Sequence, residues 1–180
     1  MVDFCSDLNL FNLDQFAYLR GKSKLAQLLT CYNDCAKARN RSQQTDIIFL
    51  DLSKAFDSVS PKRLLLKLQR RGIDGSLLLW IRNFLTNRRQ RVVLRSNCSD
   101  WSPVISGAPQ GTILGPILCI IHINDISTNI TSTFKIYADD TKIYRTINEP
   151  DKDTSALQLD LNRLSDGANK WQLRFNPEKM

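Results

Sequence analysis

Phe134-Lys135-Ile136-Tyr137-Ala138-Asp139-Asp140-Thr141-Lys142-Ile143-Tyr144-Arg145 reads as two short strands, 134–138 and 141–145, folded into a hairpin with Asp139-Asp140 at its tip. A third acid, Asp51, ends the apolar run Ile47-Ile48-Phe49-Leu50. Residues 45–51 are apolar on both faces, the pattern of a central strand covered on both sides. A carboxylate directly after four apolar residues is capped, paired or metal-bound. Adjacent acids repel, and a divalent cation relieves the repulsion; aspartate is also an ordinary turn residue, so the hairpin alone leaves both readings open. Carboxylates at a strand end and a hairpin tip can meet in space and hold two divalent cations. Such a pair of ions clamps the attacking and leaving oxygens of a phosphoryl transfer.

Helical segments surround these strands. Residues 23–38 carry Leu25, Leu28, Leu29, Tyr32 and Ala36 on one face, with Ser23 as N-cap. Arg39-Asn40-Arg41-Ser42-Gln43-Gln44 is a polar connector. Ser60-Pro61 starts a helix that runs to about Arg71 and stops at Gly72. Another spans roughly 75–86, with Leu78, Trp80, Ile81, Phe84 and Leu85 apolar. Segments 90–95 and 101–105 read as short strands around the turn Ser96-Asn97-Cys98-Ser99-Asp100. Pro116 opens a helix ending near Ile126. In the last helix Leu157, Leu161, Leu164, Ala168 and Trp171 recur at spacings of 4, 3, 4 and 3 and pack on one face of the sheet. The expected fold is α+β: a small, mostly antiparallel sheet covered by helices.

Composition bounds the function class. The chain has 180 residues, enough for one domain with a real core, and 42% hydrophobic content excludes a disordered chain. Its net charge of +7 fits either a soluble basic surface or a polyanion partner. The acidic cluster inside a basic chain favours the partner, because metals and phosphate tracks need opposite signs. Arg88-Arg89-Gln90-Arg91 is the densest local basic run and adds to that expectation. Five cysteines, at 5, 31, 35, 98 and 119, lack the paired spacing of a zinc site and read as reduced, buried thiols. The single histidine, His122, lies between Ile121 and Ile123 and reads as a packed core residue. Met1-Val2-Asp3-Phe4-Cys5 shows no secretory signal, and the apolar stretch 113–123 is too short to span a bilayer. The expectation is an intracellular protein without a membrane partner.

Five segments, in order, resemble the reverse transcriptases of non-LTR (LINE-type) retrotransposons. They are Gln15-Phe16-Ala17-Tyr18-Leu19-Arg20-Gly21-Lys22-Ser23, Phe49 to Val59, Ser106 to Pro116, Tyr137 to Thr141, and Trp171 to Lys179. The resemblance implies a right-hand polymerase palm with partial fingers: fingers-like parts at about 1–45 and 61–104, palm at about 46–60 and 105–180. It implies RNA-directed DNA polymerase activity, with an RNA template, a DNA primer and dNTPs as partners and two Mg²⁺ ions, for which Mn²⁺ can substitute. Asp51, Asp139 and Asp140 become the catalytic metal ligands, with Asp139 shared by both ions and Asp140 more peripheral. Asp57 is assigned instead to local capping or ion pairing near the next helix.

By the same resemblance Phe56 is a steric gate under the incoming sugar, which favours deoxynucleotides; the plainer role of a phenylalanine is core packing. Gln110 meets the incoming nucleotide and template base, and Gly111 allows that approach. Arg20 and Lys22 contact template or triphosphate, although such residues are commonly solvated surface charges. Lys179 matches a lysine that donates a proton to pyrophosphate. The resemblance further calls for a primer-grip hairpin and a helical thumb, which the 180 residues do not contain. Two readings follow: the catalytic part of a reverse transcriptase, or a catalytically inactive fragment acting at most as a basic nucleic-acid-binding module. An RNA-copying enzyme that makes RNA fits less well, because of Phe56 and the Ala138 that precedes the acids.

Overall fold

The computed structural model describes residues 10–176. It is α+β, with five helices among the described residues: α1 (Lys24–Asn40), α2 (Pro61–Arg70), α3 (Gly75–Leu85), α4 (Leu114–Ile123) and α5 (Pro150–Lys170). The central sheet has three antiparallel strands, β1 (Gln44–Asp51), β6 (Thr133–Tyr137) and β7 (Asp140–Ile147), in the order β1-β7-β6. Two small ladders complete the sheets: β2 (Arg88–Gln90) with β5 (Ser102–Val104), and β3 (Val93–Leu94) with β4 (Asn97–Cys98).

Strand alternation assigns the two faces of the sheet. Ile48 and Leu50 of β1, with Ile143 opposite Ile48, point toward Leu157, Leu161, Leu164 and Ala168 of α5, in one apolar core. Lys142 and Tyr144 point the other way, toward α1, where Lys142 Nζ donates to Gln27 Oε1 (3.0 Å) and Tyr144 OH to Asp34 Oδ2 (2.8 Å). The first turn and the middle of α5 are fixed by carboxylates that accept from backbone N–H groups. Asp153 reaches back to Asn148 and Glu149 (2.8 and 2.9 Å), and Asp160 takes Thr131 and Ser132 (3.0 and 2.7 Å). The Glu149 and Asn148 N–H groups, with the Arg145 guanidinium, hold the Asp153 carboxyl down at about 2.

The structure departs from the sequence expectation at several elements. β1 is an edge strand, and β7 is the central one; an apolar run records burial without recording which strand supplies it. Phe49 of β1 is accordingly 57% exposed. The apolar face of α1 points outward, with Leu25, Leu28, Leu29 and Tyr32 all exposed, while Gln27, Cys31 and Ala38 face the sheet. The sheet face that meets α1 is polar, so the amide and small residues of the helix match it better than leucines do. The turn expected across 96–100 narrows to Arg95-Ser96, with Arg95 at φ +55°, and Asn97–Cys98 is a strand. Helix α4 starts at Leu114, two residues before Pro116, and closes at Ile123. Cys31 and Cys119 are buried, but Cys98 is exposed.

His122 is fully buried, as the flanking isoleucines imply. Its Nε2 meets the Trp171 carbonyl at 3.2 Å, and its ring sits edge-on to Trp171. Beside it, the Lys67 ammonium donates to the carbonyls of Ile121 (3.2 Å) and His122 (2.8 Å), satisfying the last carbonyls of α4. Lys67 also pairs with Asp125 at 3.1 Å and stands 3.6 Å over the Trp171 ring. Burial, with the nearby Lys67 charge, pushes His122 down to about 4. An unfolded histidine takes up its proton near pH 6.5, whereas the folded one does not until about pH 4. The unfolded state therefore binds more protons between these values, and stability falls as pH drops through that window. We expect the unfolding free energy from denaturant titrations to decline from pH 6.5 downward with a slope of up to about 1.4 kcal/mol per pH unit from this group. His122→Asn, which cannot titrate, flattens the slope between pH 6.5 and 5.

Candidate nucleotidyl-transfer site

The β1–β7 register sets Asp51 directly opposite Asp140. Directly opposed residues in an antiparallel pair have their Cβ atoms about 4.5–5.5 Å apart. Alternation turns both toward the α1 side of the sheet, the side of Phe49 and Lys142. Asp139 is the neighbouring residue, in the two-residue connection between Tyr137 and Asp140. Its negative charge reaches Cys119 on α4, whose thiol is pushed up to about 12, first by burial and then by Asp139. The two halves of the acid motif, distant in sequence, thus meet at one end of the sheet. Among the described residues, no three His, Cys, Asp or Glu side chains are gathered at ligating distance.

A cation already stands at this edge. Lys24, the first residue of α1, places its Nζ 3.1 Å from Asp140 Oδ2 and 5.8 Å from the centre of the Tyr137 ring. Nothing in the sequence pattern singles out Lys24; only the packing of α1 on the sheet brings it there.

The hairpin tip is held from outside. Ala138 has a φ of +56°, a left-handed conformation that is uncommon for a residue with a Cβ. Its N–H donates to Gln15 Oε1 at 3.1 Å, and the same oxygen accepts from Ala17 N at 2.8 Å. Gln15 is only 3% exposed. Its segment runs beside β6, with Phe16 N to Ile136 O (2.9 Å) and Ile136 N to Asp14 O (3.0 Å). On the other side the segment 174–176 covers the free edge of β1. Ser53 N donates to Arg174 O (2.7 Å) and Asn176 N to Asp51 O (2.8 Å), and Leu52 bridges Phe175.

The glycine-containing loop docks on the turn after β1. Gly107 N donates to Val59 O (2.8 Å) and Ala108 N to Phe56 O (2.9 Å). A Cβ on Gly107 would lie 3.1 Å from Asp57 Cα and 3.2 Å from Phe56 O, and φ is +88° there, so both space and conformation call for glycine. Gly115 is tighter still: its Cβ would meet the Pro109 carbonyl at 2.2 Å. Gly111 has open space around it and a φ of +73°. Close approach therefore belongs to Gly107 in the loop and to Gly115 in the first turn of α4, and Gly111 supplies conformational freedom.

The other candidate residues are placed as follows. Phe56 is half-buried against the core. Gln110 donates through Nε2 to Asp57 Oδ1 at 3.1 Å, so Asp57 orients Gln110 and does not cap α2, whose Ser60 makes no side-chain cap bond. Arg20 is exposed. Lys22 is turned into its own segment, donating to the Leu13 carbonyl with its ammonium 5.0 Å from the centre of the Phe16 ring. Arg88, read above as part of a nucleic-acid-facing run, instead clamps the glycine loop through the carbonyls of Ser106 (3.2 Å) and Gly107. Lys179 lies outside the described residues.

Comparison with known proteins bears on this arrangement. The family model described as reverse transcriptase (RNA-dependent DNA polymerase) matches residues 2–180. The chain belongs to the reverse transcriptase family. It is 30% identical over 173 residues to the RNA-directed DNA polymerase from mobile element jockey of Drosophila melanogaster, covering 92% of this chain and 19% of that protein. It is 28% identical over 171 residues to the probable RNA-directed DNA polymerase from transposon X-element of the same species, again covering 92% and 19%. A similar protein from transposon BS is 24% identical over 188 residues, covering 98% of this chain and 20% of that protein. The chain spans about a fifth of the length of the curated relatives it matches. These relatives come from retrotransposons of the non-LTR class, as the five sequence segments imply.

Gln15 opens the first of the five family segments, and its buried amide oxygen serves two backbone N–H groups. Replacing it by alanine leaves two N–H groups, at Ala17 and Ala138, without their acceptor. We expect Gln15→Ala to cost about 1–3 kcal/mol in urea unfolding. Faster amide hydrogen exchange at Ala138 than at Ile143 locates the loss at the hairpin tip.

Proposed function

We propose that this chain carries the acid-bearing palm and part of the fingers of an RNA-directed DNA polymerase, adding dNTPs to a primer on an RNA template by two-metal nucleotidyl transfer. The fingers-like parts are about 1–45 and 61–104, and the palm about 46–60 and 105–180. The observation that carries this reading is the pairing of Asp51 with Asp140 across β1 and β7, with Asp139 next in the chain.

The donor set fits Mg²⁺, and Mn²⁺ as its substitute: three carboxylates at one end of the sheet offer only hard oxygen ligands. Mg²⁺ keeps part of its coordination for water and phosphate oxygens, so two or three carboxylates suffice and a closed protein cage is not required. Asp51, Asp139 and Asp140 would hold the ions, which when bound supply activation of the primer 3′-OH and charge stabilisation on the triphosphate. The chain's own residues do the rest. Lys24 neutralises Asp140 and is the group a metal must displace. Arg88 and Asp57 fix the loop and Gln110 on the nucleotide side, and Gly111 leaves room above the loop. Phe56 places a flat ring where a ribose 2′-OH would sit. Arg20 is exposed and positioned in the fingers-like segment for a template or triphosphate phosphate; Lys22 braces that segment.

Primer extension on an RNA template with dNTPs and Mg²⁺ tests the reading. Loss of an outer partner of a metal ligand typically costs 10–100-fold, so loss of a ligand itself should cost more. We expect extension that Asp139→Asn lowers by more than about 100-fold while the protein keeps its circular dichroism spectrum. Extension that survives Asp139→Asn rejects the assignment. A folded protein that binds RNA and never extends a primer supports the inactive-module reading instead.

Sugar choice gives a second outcome. Phe56→Ala is expected to raise the rNTP-to-dNTP ratio of kcat/KM by at least about tenfold, equivalent to 1.4 kcal/mol. Full burial of a phenylalanine would make this change cost about 3–5 kcal/mol of stability, and half-burial makes it cost less. An unchanged ratio in a folded, active variant reduces Phe56 to a packing residue.

A further inference from the structure

A basic cleft of the surface lies away from the acids. A cleft of about 640 Å³ opens between α2 and the C-terminal end of α5. Lys62, Arg63, Lys67, Arg70, Arg71 and Lys170 line it, against the single carboxylate of Asp125. Helix α2 contains no acid, so nothing within that helix offsets its charge. Asp125 is shared between Lys67 (3.1 Å) and Arg71 (3.5 Å), and Lys67 is buried with its donors turned to the end of α4. Among the described residues, Lys62, Arg63, Arg70 and Lys170 make no ion pair. Arg63 is already drawn toward Lys170 by a hydrogen bond to its carbonyl, which brings like charges together.

Four cations without an ion pair among the described residues share one concave wall whose single described carboxylate, Asp125, is already taken by Lys67 and Arg71. Clefts lined by one sign of charge focus the field and raise the local concentration of counter-charged ligands. Arginine forks match phosphate oxygens in a bidentate way, and lysines add point charges along a backbone. The cleft lies on the α5 side of the sheet, whereas Asp51 and Asp140 turn to the α1 side.

We infer that this cleft is a second nucleic-acid-binding site, one that grips the phosphodiester backbone of a strand independently of the acid-bearing edge. It requires neither metal nor nucleotide and stands whether or not the proposed polymerase chemistry does.

The experiment is fluorescence anisotropy of a labelled single-stranded RNA of about 20 nucleotides against the 180-residue chain, in EDTA, over a range of salt. EDTA removes any contribution of metal at the acids, so failure of the polymerase reading and failure of this one are read separately. The cleft variant is Lys62→Glu/Arg70→Glu/Lys170→Glu, all exposed positions. Its control is Lys37→Glu/Arg39→Glu/Arg41→Glu on the end of α1, also exposed, with the same change of net charge. We expect the cleft variant to weaken binding at least tenfold. It should also reduce the slope of log affinity against log salt by about 2, three lost phosphate contacts at about 0.7 each on a single strand. The control is expected to weaken binding less than threefold.

Equal losses in the two variants, or wild-type binding by the cleft variant, overturn the inference. So does displacement of the RNA from the wild type by polyglutamate as effectively as by unlabelled RNA of equal charge, which marks an acidic-peptide site. If the glutamate triple melts below the wild type, Lys62→Gln/Arg70→Gln/Lys170→Gln against Lys37→Gln/Arg39→Gln/Arg41→Gln carries the same comparison, with half the charge change and the same ordering expected.

Discussion

The pairing of β1 with β7 puts two carboxylates opposite one another, and much of the surrounding structure bears on that contact. Like charges directly opposed across a ladder destabilise it. Register cannot slip to relieve the repulsion, because a one-residue shift would turn Ile48, Leu50 and Ile143 out of the α5 core. The hydrophobic side of the sheet therefore fixes the negative charge gathered on its other side. Lys24 offsets part of it, as an exposed ion pair whose contribution to stability is at most about 1 kcal/mol. An exposed cationic partner that weak can be exchanged for a stronger one without unfolding the helix that carries it.

Precision at the same edge comes from main-chain contacts. The segments 14–16 and 174–176 flank β6 and β1, and each hydrogen-bonds to the sheet within two or three residues of an acid. Gln15 adds a side-chain acceptor where Ala138 takes a left-handed conformation. Backbone strain of this kind persists only where neighbours over-determine the geometry. The glycine loop follows the same logic: Gly107 in the loop and Gly115 at the start of α4 bring backbone against backbone, and Arg88 closes the loop from behind. In this way the nucleotide-side residues Phe56 and Gln110 become part of one docked unit with the turn that follows Asp51.

Charge is divided between separate regions. The described acids of the site sit at one end of the sheet, while the cationic cleft sits between helices on the α5 side. A net charge of +7 alone says nothing of this separation. Lys67 illustrates why counting is insufficient: its ammonium is buried, caps α4 and lies over Trp171, and burial takes it down to about 8. It serves the fold, while Lys62, Arg70 and Lys170 remain on the surface.

The sequence by itself determined the family, the α+β class, the hairpin that carries Asp139 and Asp140, and the core face of α5, whereas the structure moves Asp140 from the tip into β7 and leaves Ala138-Asp139 as the connection. These are local matters: periodicity, apolar runs, turn residues and ordered motifs are all written within short windows of chain. Tertiary structure alone decided that β1 lies at the edge, that the leucines of α1 face outward, and that Asp51 stands opposite Asp140. It also decided that Lys24 and Gln15 serve the acid edge while Lys22 and Arg88 turn inward. Most of those outcomes depend on contacts between residues far apart in the chain, such as Gln15 with Ala138 and Lys24 with Asp140. A pattern in sequence records whether a side chain prefers water or oil. Which partner it meets is set by the packing of whole elements, and the chemistry of this site depends on those partners.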